Sequence, residues 1–104
     1  MVGCYKMKKI VLLCNAGMST SLLVAKMREA ALELDEEYEI NAYPVSEAKE
    51  KAKDADIVLL GPQVRFEQKK VQSLVSCPVE VIDMAAYGMI NGKKALESAL
   101  KGMK

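Results

Sequence analysis

Two short stretches of this chain, Ile10–Leu13 and Ile57–Leu60, are apolar without interruption and are bounded by polar or glycine residues. A strand with one wet face alternates apolar and polar side chains, so an unbroken apolar run marks a strand covered on both faces. Two such strands demand a sheet with layers above and below it, and they belong in its middle. Tyr38, Ile40 and Ala42, by contrast, alternate with Glu39 and Asn41, while Val79 and Val81 flank Glu80. That alternation suits edge strands with one poorly covered face. Between the strands, Leu23, Met27, Ala30 and Leu34 form one stripe with Lys26, Arg28, Glu29 and Glu33 outside it, which predicts a first helix. A second helix is expected over about 46–53 with Ser46 as its cap. A third includes Val71, Leu74 and Val75, and a last one Leu96, Ala99 and Leu100. Alternating strands and helices imply right-handed crossovers and a parallel sheet, here with central strands one and three flanked by two and four. The expected fold is α/β: a four-stranded parallel sheet of order 2-1-3-4 with helices on both faces.

With 104 residues, 51% of them apolar, the chain has material for one core. Residues 7–104 are expected to form a single domain, with Met1 to Lys6 as a detachable tail before the start-like Met7-Lys8-Lys9. No window approaches the roughly 20 consecutive apolar residues of a membrane span, and the amino-terminal segment has no signal-peptide pattern. A cytoplasmic protein without membrane insertion is expected. Three cysteines in unrelated contexts, with no Cys-x-x-Cys pair, fit free thiols in a reducing compartment. A net charge of +1 with interleaved signs offers no face for nucleic acid. There is no histidine, so a nucleophile, base or metal ligand of that kind is excluded. No metal and no cofactor is implied.

In the order 2-1-3-4 the direction of winding reverses between strands one and three, and open α/β sheets bind ligands beyond the carboxyl ends of their strands at such a point. The residue there is Cys14. It opens the segment Cys14-Asn15-Ala16-Gly17-Met18-Ser19-Thr20-Ser21, which has a small-residue centre and three hydroxyls ahead of a helix. Small residues let successive backbone N–H groups converge, glycine permits φ > 0, and a helix start adds unpaired donors with roughly half a positive charge. Such a loop cradles phosphate with no basic side chain. The same field favours thiolate over thiol in general, which makes a cysteine so placed a ready nucleophile. An arbitrary cysteine at a strand end is a small buried hydrophobe; position and loop chemistry shift the reading of Cys14 to a functional one. Cys4, in the tail, and Cys77, beside Pro78, lack that setting. Among Ser19, Thr20 and Ser21 one hydroxyl is expected to cap the helix and another to face the ligand. A cysteine phosphatase would carry arginine six positions after its cysteine, and here that position is Thr20. Without the arginine the loop accepts phosphate but lacks the usual means of driving hydrolysis, so a relay is expected rather than a phosphatase.

The stretches KKIVLLCNAGMSTSLLVAKM, ADIVLLGPQV and PVEVIDMAAYG, spread from Lys8 to about Leu100, closely resemble the IIB component of the lactose, cellobiose and chitobiose family of bacterial phosphotransferase systems. The resemblance implies a phosphoryl carrier. Cys14 would take phosphate from a phosphohistidine on a IIA protein and pass it to a sugar held by the membrane-embedded IIC permease, which would recruit the chain to the membrane's inner face. The implied sugar is a β-linked disaccharide such as cellobiose, chitobiose or lactose. The resemblance also draws attention to Gln63, Asp83 and Tyr87 at the ends of strands three and four. Each has a structural reading beside the functional one: Gly61-Pro62 is a turn that ends a strand, and Asp83 is a cap for Met84 to Tyr87. Met18 and Phe66 suit a partner surface if exposed, and core packing is the other reading of Phe66. Two further functions share this fold and loop: a low-molecular-weight cysteine phosphatase, which Thr20 argues against, and a phosphorylation-dependent regulatory module.

Overall fold

The computed structural model of the chain describes residues 8–14, 18–34 and 38–102, with the side chains of 18–20 outside that description. Among the described residues the chain forms four strands and five α-helices: β1 (Lys8–Cys14), α1 (Met18–Glu33), β2 (Tyr38–Pro44), α2 (Ala48–Lys51), β3 (Ile57–Leu60), α3 (Gln68–Leu74), β4 (Val79–Val81), α4 (Met84–Gly88) and α5 (Gly92–Gly102). Turns of 3-10 helix, Val45–Glu47 and Pro62–Glu67, precede α2 and α3. The sheet order is β2-β1-β3-β4 and every pairing is parallel. Order, direction and central strands are as the sequence predicts.

The unbroken apolar runs divide their side chains between two cores. Ile10, Leu12, Ile57 and Leu59 point to one face, where they pack with Leu23, Met27, Leu96 and Ala99 of α1 and α5. Val11, Leu13, Val58 and Leu60 point to the other, against Ala48, Ala52, Val64 and Val71. Each such side chain contributes about 1.5 to 3 kcal/mol by leaving water, so both layers are held firmly.

The two sheet edges are closed by side chains from helices. Lys9 and Leu13 of β1 accept at their carbonyls from Asp56 and Gly61 on the β3 side, at 2.8 and 3.0 Å. Odd residues of β1 therefore bond toward β3 and even ones toward β2, which leaves the Ile40 carbonyl of β2 facing outward. The Arg28 guanidinium donates to that oxygen through Nη2 (2.6 Å) and Nε (3.1 Å), and to Asn41 Oδ1. On the opposite edge Gln68 Nε2 donates to the carbonyl of Val79 (2.9 Å).

Three helix details differ from the sequence reading. Ser46 is not a cap: it lies within the 3-10 turn, and no side chain caps either that turn or α2. This helix is short because only Ala48 and Ala52 anchor the lysine-rich segment to the core. Leu34 lies beyond the end of α1 and is 48% exposed. Ala31 takes the buried place on the stripe, and the Leu34 N–H is shared between the Ala30 and Ala31 carbonyls as the chain turns off. Val75 follows α3 as an extended residue (φ −130°, ψ 157°), still packed on the second core.

Candidate functional site

The carboxyl ends of the strands gather the residues the sequence singles out. Cys14 ends β1 opposite Pro44 of β2, and its neighbour Leu13 accepts from the Gly61 N–H. This fixes Cys14 in the centre of the sheet, at the point where the winding reverses. It is 5% exposed, so it sits at the rim of the core rather than on open surface. Four residues later α1 begins, and its first turn carries no acidic side chain. The first four N–H groups of a helix have no intrahelical partner, and here they belong to Met18, Ser19, Thr20 and Ser21. Ser21 is exposed. Asn15, Ala16 and Gly17 lie outside the described residues, as do the side chains of Met18, Ser19 and Thr20, the tail Met1 to Lys6 and Cys4.

Gly61 brings the other strand ends to Cys14. A Cβ at this position would stand 2.9 Å from Gln63 Oε1, 3.4 Å from Cys14 Cβ and 3.5 Å from Tyr87 Cε2. Gln63 therefore folds back over the end of β3, and the Tyr87 ring edge closes the same small space from α4. Its φ is −62°, so backbone freedom is not what the glycine supplies; a methyl here would press on Gln63 Oε1 alone. Sequence reading treats Gly61 only as a turn residue; its role as the spacer between three candidate side chains emerges from the packing of α4 alone. Asp83 stands apart from this contact. It is the N-cap of α4, where Oδ2 accepts from the Ala85 N–H (3.1 Å) and the Ala86 N–H (3.2 Å). Phe66 is 78% exposed, in the 3-10 turn just beyond β3, which decides between its two readings in favour of surface. Leu22 and Met84, also exposed, lie on the first turns of the helices that follow β1 and β4.

The second described cysteine is chemically different. Burial pushes the Cys77 thiol above its ordinary value of 9.0, the nearby charge of Asp56 adds to that, and a backbone hydrogen bond only partly offsets it. Cys77 is held as a thiol. Arg28 is occupied at the β2 edge, on the flank of α1. Among the described residues no group of three His, Cys, Asp or Glu side chains could hold a metal, and no helix is long and apolar enough to cross a membrane.

A parallel α/β sheet with a cysteine at its switch point, ahead of a helix start, defines a protein built for chemistry on an anionic group. Comparison with known proteins gives the family. Residues 9–98 match the family described as "PTS system, Lactose/Cellobiose specific IIB subunit". The chain is 54% identical over 100 residues to the oligo-beta-mannoside-specific EIIB component of Bacillus subtilis (strain 168), covering 93% of this chain and 97% of that one. It is 43% identical over 100 residues to the cellobiose-specific EIIB component of Lactococcus lactis subsp. lactis (strain IL1403), covering 88% and 93%. Among solved structures, the cellobiose-specific IIB component of Borrelia burgdorferi superposes with a TM-score of 0.77 at 33% identity, over 94% of this chain and 93% of that one. The lactose-specific IIB domain of Streptococcus pneumoniae has the same fold, with a TM-score of 0.84 at 18% identity over 95% and 100%. The chain belongs to the lactose/cellobiose-specific IIB family of the phosphotransferase system. It is accordingly a phosphotransferase component that serves sugar transport.

Proposed function

We propose that Cys14 is the phosphoryl carrier of this IIB protein. The observation that carries the reading is its place: the last residue of a central strand, buried at the switch point, with Gln63 and Tyr87 converging on the same Gly61 that it adjoins and a helix start four residues on. In the first step the Cys14 sulfur attacks the phosphorus of a phosphohistidine on a IIA protein. The S–P bond forms, the N–P bond breaks, its electron pair returns to the imidazole, and the proton given up by the thiol ends on that nitrogen. In the second step a sugar hydroxyl held by the IIC permease attacks the same phosphorus, and sulfur leaves as thiolate while the hydroxyl proton passes to a base that, within this chain, cannot be histidine. Backbone N–H groups of the Asn15 to Ser21 segment hold the phosphoryl oxygens, and their fixed dipoles stabilise the charge of both transition states. The Gln63 amide completes the cradle from the β3 side, and the Tyr87 ring bounds it.

The acceptor we assign is a β-linked disaccharide or short oligosaccharide. Relatives named for oligo-beta-mannoside and cellobiose support a β-linked class, and a galactose-specific relative at 44% identity fits a carrier that leaves the choice of sugar to the permease. The chain acts at the inner face of the membrane, brought there by that permease. Incubation with the general phosphotransferase proteins, phosphoenolpyruvate and a cognate IIA, followed by mass-spectrometric mapping, tests the assignment. Phosphate on Cys14 is the expected result, and stoichiometric phosphate on any other residue would overturn it.

A further inference from the structure

The proposed site has two halves that belong to different layers. Cys14 rides on the sheet, locked by the Gly61-to-Leu13 hydrogen bond and by its pairing with β2. The backbone donors ride on α1. What holds α1 in register with Cys14 is therefore part of the chemistry. Beneath, Leu23 and Met27 are fully buried and leave no room to sink toward the sheet. On one flank Arg28 ties the helix to the Ile40 carbonyl of β2. On the other flank lies α5, and there the contact is backbone to backbone. A Cβ on Gly92 would stand 2.3 Å from the Lys26 carbonyl carbon, 2.4 Å from the Met27 nitrogen and 2.5 Å from Lys26 Cβ. No side chain can swing aside to relieve such an approach.

We propose that Gly92 is a positioning residue for phosphoryl transfer, setting where the first turn of α1 stands relative to Cys14; the inference rests on Cys14 being the carrier. Ordinary contact for a Cβ begins near 3.4 Å, so an alanine at 92 drives the two helices apart by about 1 Å. The far end of α5 is closely packed as well, the would-be Cβ of Gly102 lying 2.5 Å from Ile57 Cδ1. The new methyl meets the backbone of α1 directly, so α1 takes up part of the displacement. Lys26 lies about 12 Å along that helix from its start, and a rod so short carries a lateral shift to its first turn. Misplacement by about 1 Å of groups that stabilise a transition state lowers rate by up to about 100-fold.

The test compares Gly92→Ala with Gly102→Ala, a tight substitution on the same helix at the end away from Cys14. Phosphoryl acceptance from phosphorylated IIA is measured across donor concentrations, together with thermal stability and the phosphorus NMR resonance of the phosphorylated protein. For Gly92→Ala the maximal rate should fall about 10- to 100-fold with the KM for IIA unchanged, and the phosphocysteine resonance should move. Gly102→Ala should keep the wild-type rate and resonance whatever stability it loses. Wild-type maximal rate in folded Gly92→Ala overturns the proposal, and so does an equal loss in Gly102→Ala. Should Gly92→Ala fail to fold, Ala95→Val, about one turn along the same face, imposes a milder separation. It should show the same loss in smaller degree, and a folded Ala95→Val with normal transfer overturns the proposal too. A wild-type protein that takes no phosphate on Cys14 would instead remove the reading on which the proposal stands.

Discussion

Replacing Gly61 by alanine should separate stability from transfer in this protein. The backbone at 61 (φ −62°, ψ 149°) is one that alanine adopts without strain. The new methyl would meet Cys14 Cβ and Tyr87 Cε2 at 3.4 and 3.5 Å, ordinary contact distances, so neither has to move. Only Gln63 Oε1, at 2.9 Å, must give way, and it is the far end of an exposed, flexible side chain. Loss of unfolded-state freedom on Gly→Ala replacement stabilises by about 0.4 to 1 kcal/mol, which for a chain of this size raises Tm by about 2 to 8 °C. Transfer should move the other way. A hydrogen bond from a side-chain amide to a charged phosphoryl oxygen is worth about 1.5 to 3 kcal/mol, so displacing Gln63 lowers the rate by about 10- to 100-fold. Calorimetry and a phosphoryl-transfer assay on Gly61→Ala, Gln63→Ala and the double variant decide the matter. If the glycine acts through the glutamine, the double variant is no slower than Gln63→Ala alone. Full transfer activity in Gly61→Ala would refute the argument, as would losses that simply add.

Three other outcomes are expected. Cys14→Ser should fold and accept no stable phosphate, because an alcohol ionises far less readily than a thiol; robust transfer by this variant would displace the site assignment. Asp83→Ala removes the acceptor for two N–H groups at the start of α4 and should cost about 1 kcal/mol, seen as a Tm lower by about 4 to 8 °C, while transfer below the transition is kept. Lost transfer with unchanged Tm would make Asp83 a site residue instead. The raised thiol of Cys77 keeps its proton more tightly in the folded state, so its contribution to stability is intact below pH 9.0 and declines as pH rises past that value. Denaturant titrations between about pH 8 and pH 10.5 should show a shallower alkaline decline for Cys77→Ala than for wild type, and equal slopes would count against the effect.

The sheet was legible because burial on both faces abolishes polar alternation, and few other arrangements allow Ile10–Leu13 and Ile57–Leu60. Helix ends were less so. Leu34 continues the stripe of α1 by spacing, yet the chain has already turned away, and burial at Ala31 leaves no signature in so small a residue. Cys14 could be singled out because it combines a reactive side chain with a telling position. Asp83 reads more readily as a cap than as a site residue, and its bonds to the Ala85 and Ala86 amides show the cap. Gly61 and Gly92 were illegible for a shared reason: the atoms that surround each lie far away in sequence, Cys14 and Tyr87 in one case and Lys26 and Met27 in the other. A glycine chosen for room looks the same in a sequence as one chosen for a turn.

The closed edges of the sheet bear on how this protein can meet others. An incoming strand would need the outward carbonyls of β2 or β4 in succession, and at the middle of one edge and the start of the other those oxygens already belong to Arg28 and Gln68. Strand addition is obstructed at one point on each side. If Cys14 carries the phosphate, as proposed, a phosphoryl donor and a phosphoryl acceptor must both reach the end of the sheet where it lies. Leu22, Phe66 and Met84, on the segments that follow β1, β3 and β4, are exposed toward that end. Under the proposed role of Cys14 both partners need the one sulfur, so the donor has to leave before the acceptor's hydroxyl can attack. The carrier must then hold its phosphate alone between encounters, and the lifetime of that solitary state, more than the speed of either transfer, limits how far apart in the cell its two partners can work.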